Sequence, residues 1–180
     1  MTLKKWLIAC CFGLMVSVVQ AVTQEEQLEL AETYNAQVIQ YFRQGQLEQA
    51  LPLAKKAFII RAEILGKHPY TLESLNNWAL IYQALGHFEK ALPLLEKGYS
   101  VMKEFVDKKH QKSLMMLGNL AVNLAVTYRE LERFDEALPL FEEGYFLKKE
   151  VLGEKHPKTL KNIQGLAGIY RELGRLDVIF

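Results

Sequence analysis

Cysteine is nearly absent from this chain of 180 residues. Its two cysteines, Cys10 and Cys11, are adjacent and lie in a short apolar stretch at the start of the sequence. The composition of that stretch predicts that it is removed, which leaves a mature chain without cysteine. Disulfide bonds, thiolate metal ligands and a cysteine nucleophile are then excluded.

The sequence also lacks the short motifs of common enzyme chemistry. It contains no glycine-rich phosphate loop, no G-x-S-x-G and no H-E-x-x-H, and isolated Glu and His residues form no catalytic constellation. No basic block interrupts a balance of 22 basic and 21 acidic residues, so nothing indicates nucleic-acid binding. We predict a protein that is not an enzyme, has no cofactor or metal, and binds neither nucleic acid nor a small-molecule substrate.

Residues 1–21 differ in composition from the rest of the chain. An apolar run follows Lys4 and Lys5, and Val19-Gln20-Ala21 places small residues where a signal peptidase reads them. This layout is typical of a secretory signal peptide. The run is shorter than the about 20 residues that a membrane-spanning helix needs. We predict cleavage after Ala21 and a periplasmic or secreted mature protein.

Two alternatives would attach the protein to a membrane. The stretch could stay uncleaved as an anchor, or Cys10 could carry a lipid, because Leu7-Ile8-Ala9-Cys10 formally resembles a lipoprotein processing site. Only four apolar residues separate Lys5 from Cys10, and the apolar run continues past the cysteine. Short motif matches of this kind are often false, so cleavage is the favoured prediction.

The remaining sequence repeats a pattern of two amphipathic helices. Within residues 68–106, apolar positions recur at helical spacing on both sides of a predicted turn at Gly86-His87. The apolar positions are Leu72, Leu75, Ala79 and Tyr82 in the first helix and Phe88, Ala91, Leu92, Leu95, Tyr99 and Met102 in the second. One helix pair cannot bury both of its faces, so it needs neighbours of the same kind.

Copies of the pattern lie on both sides. The second-helix motif that begins at Phe88 occurs again 46 residues later, at Phe134, and 41 residues earlier, at Leu47. Linker histidines recur at His68, His110 and His156, and the first-helix pattern returns as Leu160, Ile163, Ala167 and Tyr170. We predict repeats at about 24–65, 66–106, 107–152 and, in part, 153–180.

The segments H-P-Y-T-L-E-S-L-N-N-W-A-L-I-Y and F-E-K-A-L-P-L-L-E-K-G-Y resemble the tetratricopeptide repeats of kinesin light chain type. The ordinary period is about 34 residues, whereas His68 and His110 are 42 residues apart. The longer variant has this extra length and an L-G-x-x-H-P linker. The resemblance covers residues 28–176 and implies an all-α fold, an α-solenoid or TPR-like superhelix of about three and a half repeats.

Three departures from the pattern carry expectations. Four residues are inserted between Leu114 and Ala125, which predicts a helix one turn longer. Glu132 stands where a glycine is expected at the turn. Leu176-Asp177 matches the start of a second helix, but residues 178–180 do not continue it. The last helix is therefore either a C-terminal cap or the end of a truncated remnant of a longer array.

The resemblance implies that first helices line a concave, peptide-binding groove. It assigns peptide contacts to Asn77 and Asn123, whose amides can donate and accept at once. Ala36 and Gly165 occupy the matching places in the first and fourth repeats, so this ladder has two members. The linker histidines, at the predicted helix starts, indicate a structural role rather than a metal site.

A further row of candidate residues follows the stripe tyrosines. It consists of Gln83, Arg129 and Arg171, with Arg43 close to it. Arginines there could pair with ligand carboxylates, or they could form a solvated face balanced by neighbouring glutamates.

We therefore predict an exported interaction module that binds a protein partner in its groove, and the resemblance implies an acidic peptide segment. The alternatives are a non-catalytic adaptor subunit of an envelope enzyme or secretion complex, and a truncated remnant of a longer array.

Overall fold

The structure, a computed structural model, describes residues 23–107 and 110–174. Within these residues the chain forms seven α-helices and no β-strand. The helices are α1 (Thr23–Arg43), α2 (Leu47–Leu65), α3 (Pro69–Ala84), α4 (Phe88–Phe105), α5 (Gln111–Glu130), α6 (Phe134–Leu152) and α7 (Pro157–Glu172). The all-α prediction is confirmed. The predicted signal peptide, its cleavage point and the end of the chain from residue 175 onward, with the unmatched residues 178–180, lie outside the described residues.

The helices stack in pairs along the chain. Each helix packs against the next one, and the first helices of successive pairs, α1, α3, α5 and α7, also contact one another. Within the described residues, no Cα atoms of α2 and α4, or of α4 and α6, come within 8 Å of each other. Long side chains bridge α4 and α6, where Tyr99 donates to Glu143 and Lys103 lies 3.6 Å from the same carboxylate. The first helices therefore lie on the inner side of a curved stack. This confirms the predicted α-solenoid of three and a half repeats.

The predicted apolar stripes form the core of the stack. Leu72, Leu75 and Ala79 of α3 are buried against Ala91 and Leu95 of α4 in one continuous cluster that reaches α7. Small residues allow the helices to come close. A Cβ added at Gly98 would lie 3.2 Å from the side chain of Leu120 and 3.3 Å from that of Leu75. The α4 backbone therefore fits closely between α3 and α5.

The turns within the pairs use a left-handed backbone conformation. Gly45 and Gly86 have φ of +72° and +75°, and Glu132 occupies the same place with φ of +60°. Glu132 is the one non-glycine residue with positive φ in the described part of the chain. A side chain in this conformation costs roughly 1–2 kcal/mol, so the third pair contains a strained turn where the second has a relaxed one.

Helix α5 shows the predicted insertion. It has 20 residues, whereas α3 has 16. Leu117, Leu120, Ala121 and Leu124 of this longer helix all belong to the core. Because four residues make about one helical turn, the stripe keeps its direction and the helix is simply longer.

The last described helix buries its predicted stripe only in part. Leu72 of α3 is 3% exposed, whereas Leu160, the equivalent residue of α7, is 46% exposed, and Ile163 is 39% exposed. The buried residues of α7 are instead Thr159, Asn162 and Ile169. These three face α6. No described helix covers the other side of α7, where Leu160 and Ile163 lie.

Candidate functional site

A cleft of about 930 Å³ lies on the inner side of the stack. Its walls come mainly from the three first helices α1, α3 and α5, with a contribution from the end of α2. The cleft crosses the helices rather than following one of them. A ligand lying in it would contact successive repeats.

One wall of the cleft is acidic. Glu25, Glu29 and Glu32 are exposed and lie on α1 at spacings of four and three residues, which places them on one face of that helix. No described cation lies within 4 Å of any of them. Glu73 of α3 adds a fourth carboxylate, which lies 3.8 Å from the guanidinium of Arg61.

The opposite wall is apolar with one cation. Met115 and Met116 of α5 line the cleft there, and Leu28 and Ile39 of α1 add further apolar surface to it. Methionine side chains adapt to irregular apolar partners, so this part of the cleft can accept side chains of varied shape. Lys112 supplies the cation, 5.7 Å above the ring of Tyr70.

A row of side-chain amides joins the first helices. The Nδ2 of Asn77 donates to the Oδ1 of Asn35 at 2.8 Å, and the Nδ2 of Asn123 donates to the Oδ1 of Asn76 at 2.8 Å. The Oδ1 atoms of Asn77 and Asn123 accept no hydrogen bond from a described residue. These two oxygens therefore remain available to a backbone N–H of a ligand.

This row contains two asparagines beyond the two-member ladder expected from the sequence. The pairing is shifted by one residue, so Asn35 rather than Ala36 is the member from α1, and Asn76 is the partner of Asn123. The 42-residue spacing between Asn35 and Asn77, equal to that of the linker histidines, is the signal that could have identified Asn35. Nothing in the spacing pointed to Asn76.

Gln83 is held by the next first helix. Its Nε2 donates to the backbone oxygen of Asn123 at 2.7 Å and to the hydroxyl of Thr127 at 2.6 Å. It lies in a second, smaller hollow of about 310 Å³ that also includes Phe42 and Glu130. Its amide therefore already has partners within the stack.

The predicted arginines lie at the surface of the first helices, and two of them are near a glutamate of their own helix. Arg129 forms an ion pair with Glu130, and Arg171 lies 3.8 Å from Glu172. Arg43 is exposed at the end of α1. None of the six predicted site residues is among the described wall residues of the large cleft. Their role in peptide binding stays a prediction.

Two equivalent positions behind the first helices hold buried cations. Arg61, at the interface of α2 with α3, donates to the Ser74 hydroxyl at 2.9 Å and to the Tyr70 backbone oxygen at 3.0 Å. Lys148, at the interface of α6 with α7, has one long bond of 3.5 Å to the Oδ1 of Asn162. Burial, with Lys158 and Lys161 nearby, lowers the pKa of Lys148 to about 8.

The linker histidines act at helix starts, as predicted. The Nδ1 of His68 accepts a hydrogen bond from the backbone N–H of Tyr70 at 3.2 Å, and His156 does the same for Lys158 at 3.1 Å. His110 instead contacts Asp107 at 2.8 Å. The residues that the structure describes contain no group of three or more potential ligands that could hold a metal ion. They also include no helix long and apolar enough to cross a membrane.

Known proteins share this sequence pattern and this architecture. The sequence matches the tetratricopeptide repeat family over residues 29–104 and 116–178. No match was found among curated protein sequences. A kinesin light chain-type protein from Podosopora anserina with nearly identical TPR-like repeats has a similar structure, with 25% sequence identity and a TM-score of 0.74. The similarity covers 85% of this chain and 71% of that one, and a variant of that protein matches equally well over 70% of its length.

A third solved structure shows the same fold. BtubC (BKLC) from P. vanneervenii is 19% identical, with a TM-score of 0.70 over 83% of this chain and 58% of that one. The family match extends over most of the sequence, and the helices stack as inner and outer helices of successive pairs. The chain therefore belongs to the tetratricopeptide repeat family, in its kinesin light chain-like form, whose repeats are protein-interaction modules.

Proposed function

We propose that the inner face of the stack binds an extended segment of a partner protein. The observation that carries this proposal is the cleft that crosses α1, α3 and α5. An extended chain running across the helices would place successive residues against successive repeats. A volume of about 930 Å³ is at the upper end of the range typical of ligand sites, and it suits several side chains of such a segment.

The amide row borders the cleft, because Asn35 and Asn76 line it. They are the partners of Asn77 and Asn123, and the row fits the backbone of that segment. Asn77 and Asn123 are each fixed through Nδ2 by a neighbouring helix, which orients their Oδ1 atoms before a ligand arrives. Side chains that are already ordered lose little entropy on binding. In this proposal the asparagines hold the ligand backbone, while the apolar wall and the charged residues select its side chains.

In this proposal Arg129 and Arg171 bind acidic residues of the partner. Arg129 and Arg171 lie on α5 and α7, the two first helices furthest from the acidic wall. A ligand carboxylate would compete with Glu130 and Glu172 for them. Exposed pairs of this kind contribute only about 0–1 kcal/mol each, so their exchange for a ligand carboxylate costs little.

Affinity capture with matched variants tests the binding face. The purified protein and its Asn77→Ala and Arg129→Ala/Arg171→Ala variants are immobilised and exposed to an envelope extract. We expect both variants to retain less partner than the wild type, with equal helix content by circular dichroism. The difference in captured partner between the wild type and the arginine variant should become smaller at high salt, because salt screens the charges.

An outer-helix variant is the control. Lys97 of α4 is exposed and outside both hollows, so Lys97→Ala should capture as the wild type does. Glu96 is unsuitable because it accepts a hydrogen bond from Tyr128 at 2.7 Å. Capture that survives every inner change but is lost in Lys97→Ala would move the site to the outer helices and refute the proposal.

We also propose that the protein acts outside the cytoplasm, in the periplasm or beyond the cell. The signal-peptide composition of residues 1–21 supports this. The mass of the protein isolated from the producing cells should correspond to a chain that begins at Val22. A mass that includes residues 1–21, or a lipid on Cys10, would contradict it.

A further inference from the structure

The first helices form a charge gradient along the stack. The net charges of α1, α3, α5 and α7 are −3, −1, +1 and +2. Helix α1 has four glutamates and one arginine, and α3 has one glutamate. Helix α5 has two cations and one glutamate, and α7 has three cations and one glutamate. The outer helices do not share this trend, because α2, α4 and α6 carry +1, 0 and −3. The gradient from acidic to basic therefore belongs to the inner face.

Three glutamates at the acidic end of this gradient and two lysines at its basic end lack an ion-pair partner in the part of the chain that the structure describes. Within the described residues, no ion pair of 4 Å or less involves Glu25, Glu29 or Glu32 at the acidic end. The same holds for Lys158 and Lys161 at the basic end. Charges that are already paired in the free protein gain little from a ligand, whereas unpaired ones can pair with it.

The lysines of α7 continue the wall of the cleft. Lys158 is the second residue of α7, as Tyr70 is of α3 and Lys112 is of α5. Lys161 is the fifth residue of its helix, as Glu73 is. Because Tyr70, Lys112 and Glu73 all line the cleft, Lys158 and Lys161 extend the same rows by one repeat.

We propose that the inner face binds a bipolar segment of its partner in one fixed orientation, with basic residues against α1 and α3 and acidic residues against α5 and α7. This inference rests on the proposed function and adds the direction and the charge pattern of the ligand. It assigns the acidic residues implied by the family resemblance to one end only. The opposite end of the segment must neutralise the glutamates of α1.

The size of the face sets the length of the segment. Packed helices lie roughly 8–10 Å apart, so the path from α1 to α7 is about 30 Å. An extended chain covers about 3.3–3.6 Å per residue, and about nine residues span that path. A synthetic peptide of about twelve residues, with lysines at one end, glutamates at the other and neutral residues between them, is therefore a suitable probe.

Its matched control has the same composition with lysines and glutamates alternating. Both peptides have zero net charge, so only the charge pattern differs. We expect the bipolar peptide to bind at least about tenfold more tightly in fluorescence anisotropy, because it gains several weak ion pairs at the same time. Equal affinity of the two peptides, or no binding of the bipolar one, would overturn the inference.

A spin label on the peptide determines the orientation. With a nitroxide at the lysine end, amide resonances of α1 and α3 should broaden, and with the label at the glutamate end those of α7 should broaden. The reverse pattern, or equal broadening from both labels, refutes the fixed orientation but leaves the inner face as the binding site. Broadening confined to α2, α4 and α6 refutes both the inference and the proposed function.

Charge reversal sharpens the test. Glu25→Lys/Glu29→Lys/Glu32→Lys and Lys158→Glu/Lys161→Glu change exposed residues, so helix content should stay the same. Each set alone should weaken the bipolar peptide. The two sets combined should restore its affinity and exchange the two broadening patterns. Unrestored affinity in the combined variant would show that charge does not set the direction.

Discussion

The interfaces at the two ends of the stack use the same position in different ways. Arg61 and Lys148 are equivalent residues of α2 and α6, they are 7% and 6% exposed, and each points toward the following first helix. Arg61 has the Ser74 hydroxyl, a backbone oxygen and the carboxylate of Glu73. Lys148 has one long bond to Asn162, and Lys161 stands at the position of Glu73.

The surroundings follow the same contrast. Thr71 donates from its hydroxyl to the backbone oxygen of Arg61 at 3.1 Å. Its equivalent Thr159 is fully buried, and its hydroxyl has no hydrogen-bond partner, nor has the Nδ2 of Asn162. The polar groups around Arg61 therefore have partners, whereas two at the other interface do not, although Nε1 of Trp78 elsewhere on α3 is also without a partner in the described part of the chain. A buried cation stabilises a repeat interface only when the next helix supplies its acceptors.

The largest expected effects on the free energy of unfolding come from changing Arg61 and Lys148, in separate variants, to methionine. Methionine is the residue at the equivalent position 102 of α4. Arg61→Met should destabilise the fold by about 2–4 kcal/mol, because Ser74 and the Tyr70 oxygen lose their donor. Lys148→Met should stabilise it by about 1–3 kcal/mol, because an unpaired buried charge is removed. Denaturant unfolding of both variants measures the two free energies of unfolding. Changes of the same sign would remove the contrast between the interfaces.

The pH dependence distinguishes charge from packing at Lys148. Its pKa is about 8 in the folded protein and about 10.4 in an unfolded chain. Below pH 8 the lysine is charged in both states, so its burial destabilises the fold fully. As the pH rises toward 10 the folded protein releases this proton first, and that destabilisation diminishes. The gain in the free energy of unfolding of Lys148→Met over the wild type should therefore become smaller from pH 7 to pH 9.5. A gain that stays constant over this range would indicate that packing alone causes it.

The sequence predicted the fold from periodicity, because apolar spacing and turn glycines are local properties. The stripe of α3, the longer α5 and the unusual turn at Glu132 could all be read in this way. The candidate site could not be predicted in this way, because it depends on which residues of different helices contact one another. Asn77 pairs with Asn35 and Asn123 with Asn76. The 42-residue spacing could have identified Asn35, but no spacing in the sequence fixes the second pair. The acidic wall on α1 was visible as composition, but its position in the cleft was not.

Packing density offers a second test of the same contrast. Ala125 of α5 is fully buried, whereas Ala167, the equivalent residue of α7, is only partly buried. Ala125→Phe should destabilise the protein by about 1–3 kcal/mol, since a large ring in a filled core forces neighbouring side chains to move. Ala167→Phe should have a clearly smaller effect, because no described helix packs on the side of α7 that faces away from α6. Thermal unfolding of the pair measures this, and equal losses would mean that α7 is packed as tightly as α5.

The smallest expected effect lies in the turns that precede the two outer helices α4 and α6. Gly86 and Glu132 both have positive φ, but only glycine adopts that conformation without steric cost. Glu132→Gly should relieve that cost and stabilise the protein by about 0.5–1 kcal/mol, part of the gain being offset by the greater freedom of glycine in the unfolded chain. The reciprocal change Gly86→Ala should destabilise by about 1 kcal/mol, because space is open around that Cβ and only the backbone conformation opposes it. Differential scanning calorimetry of both variants compares the two turns directly. If Glu132→Gly left the unfolding temperature unchanged while Gly86→Ala lowered it, the glutamate would have to make a compensating interaction in the folded protein that a glycine lacks.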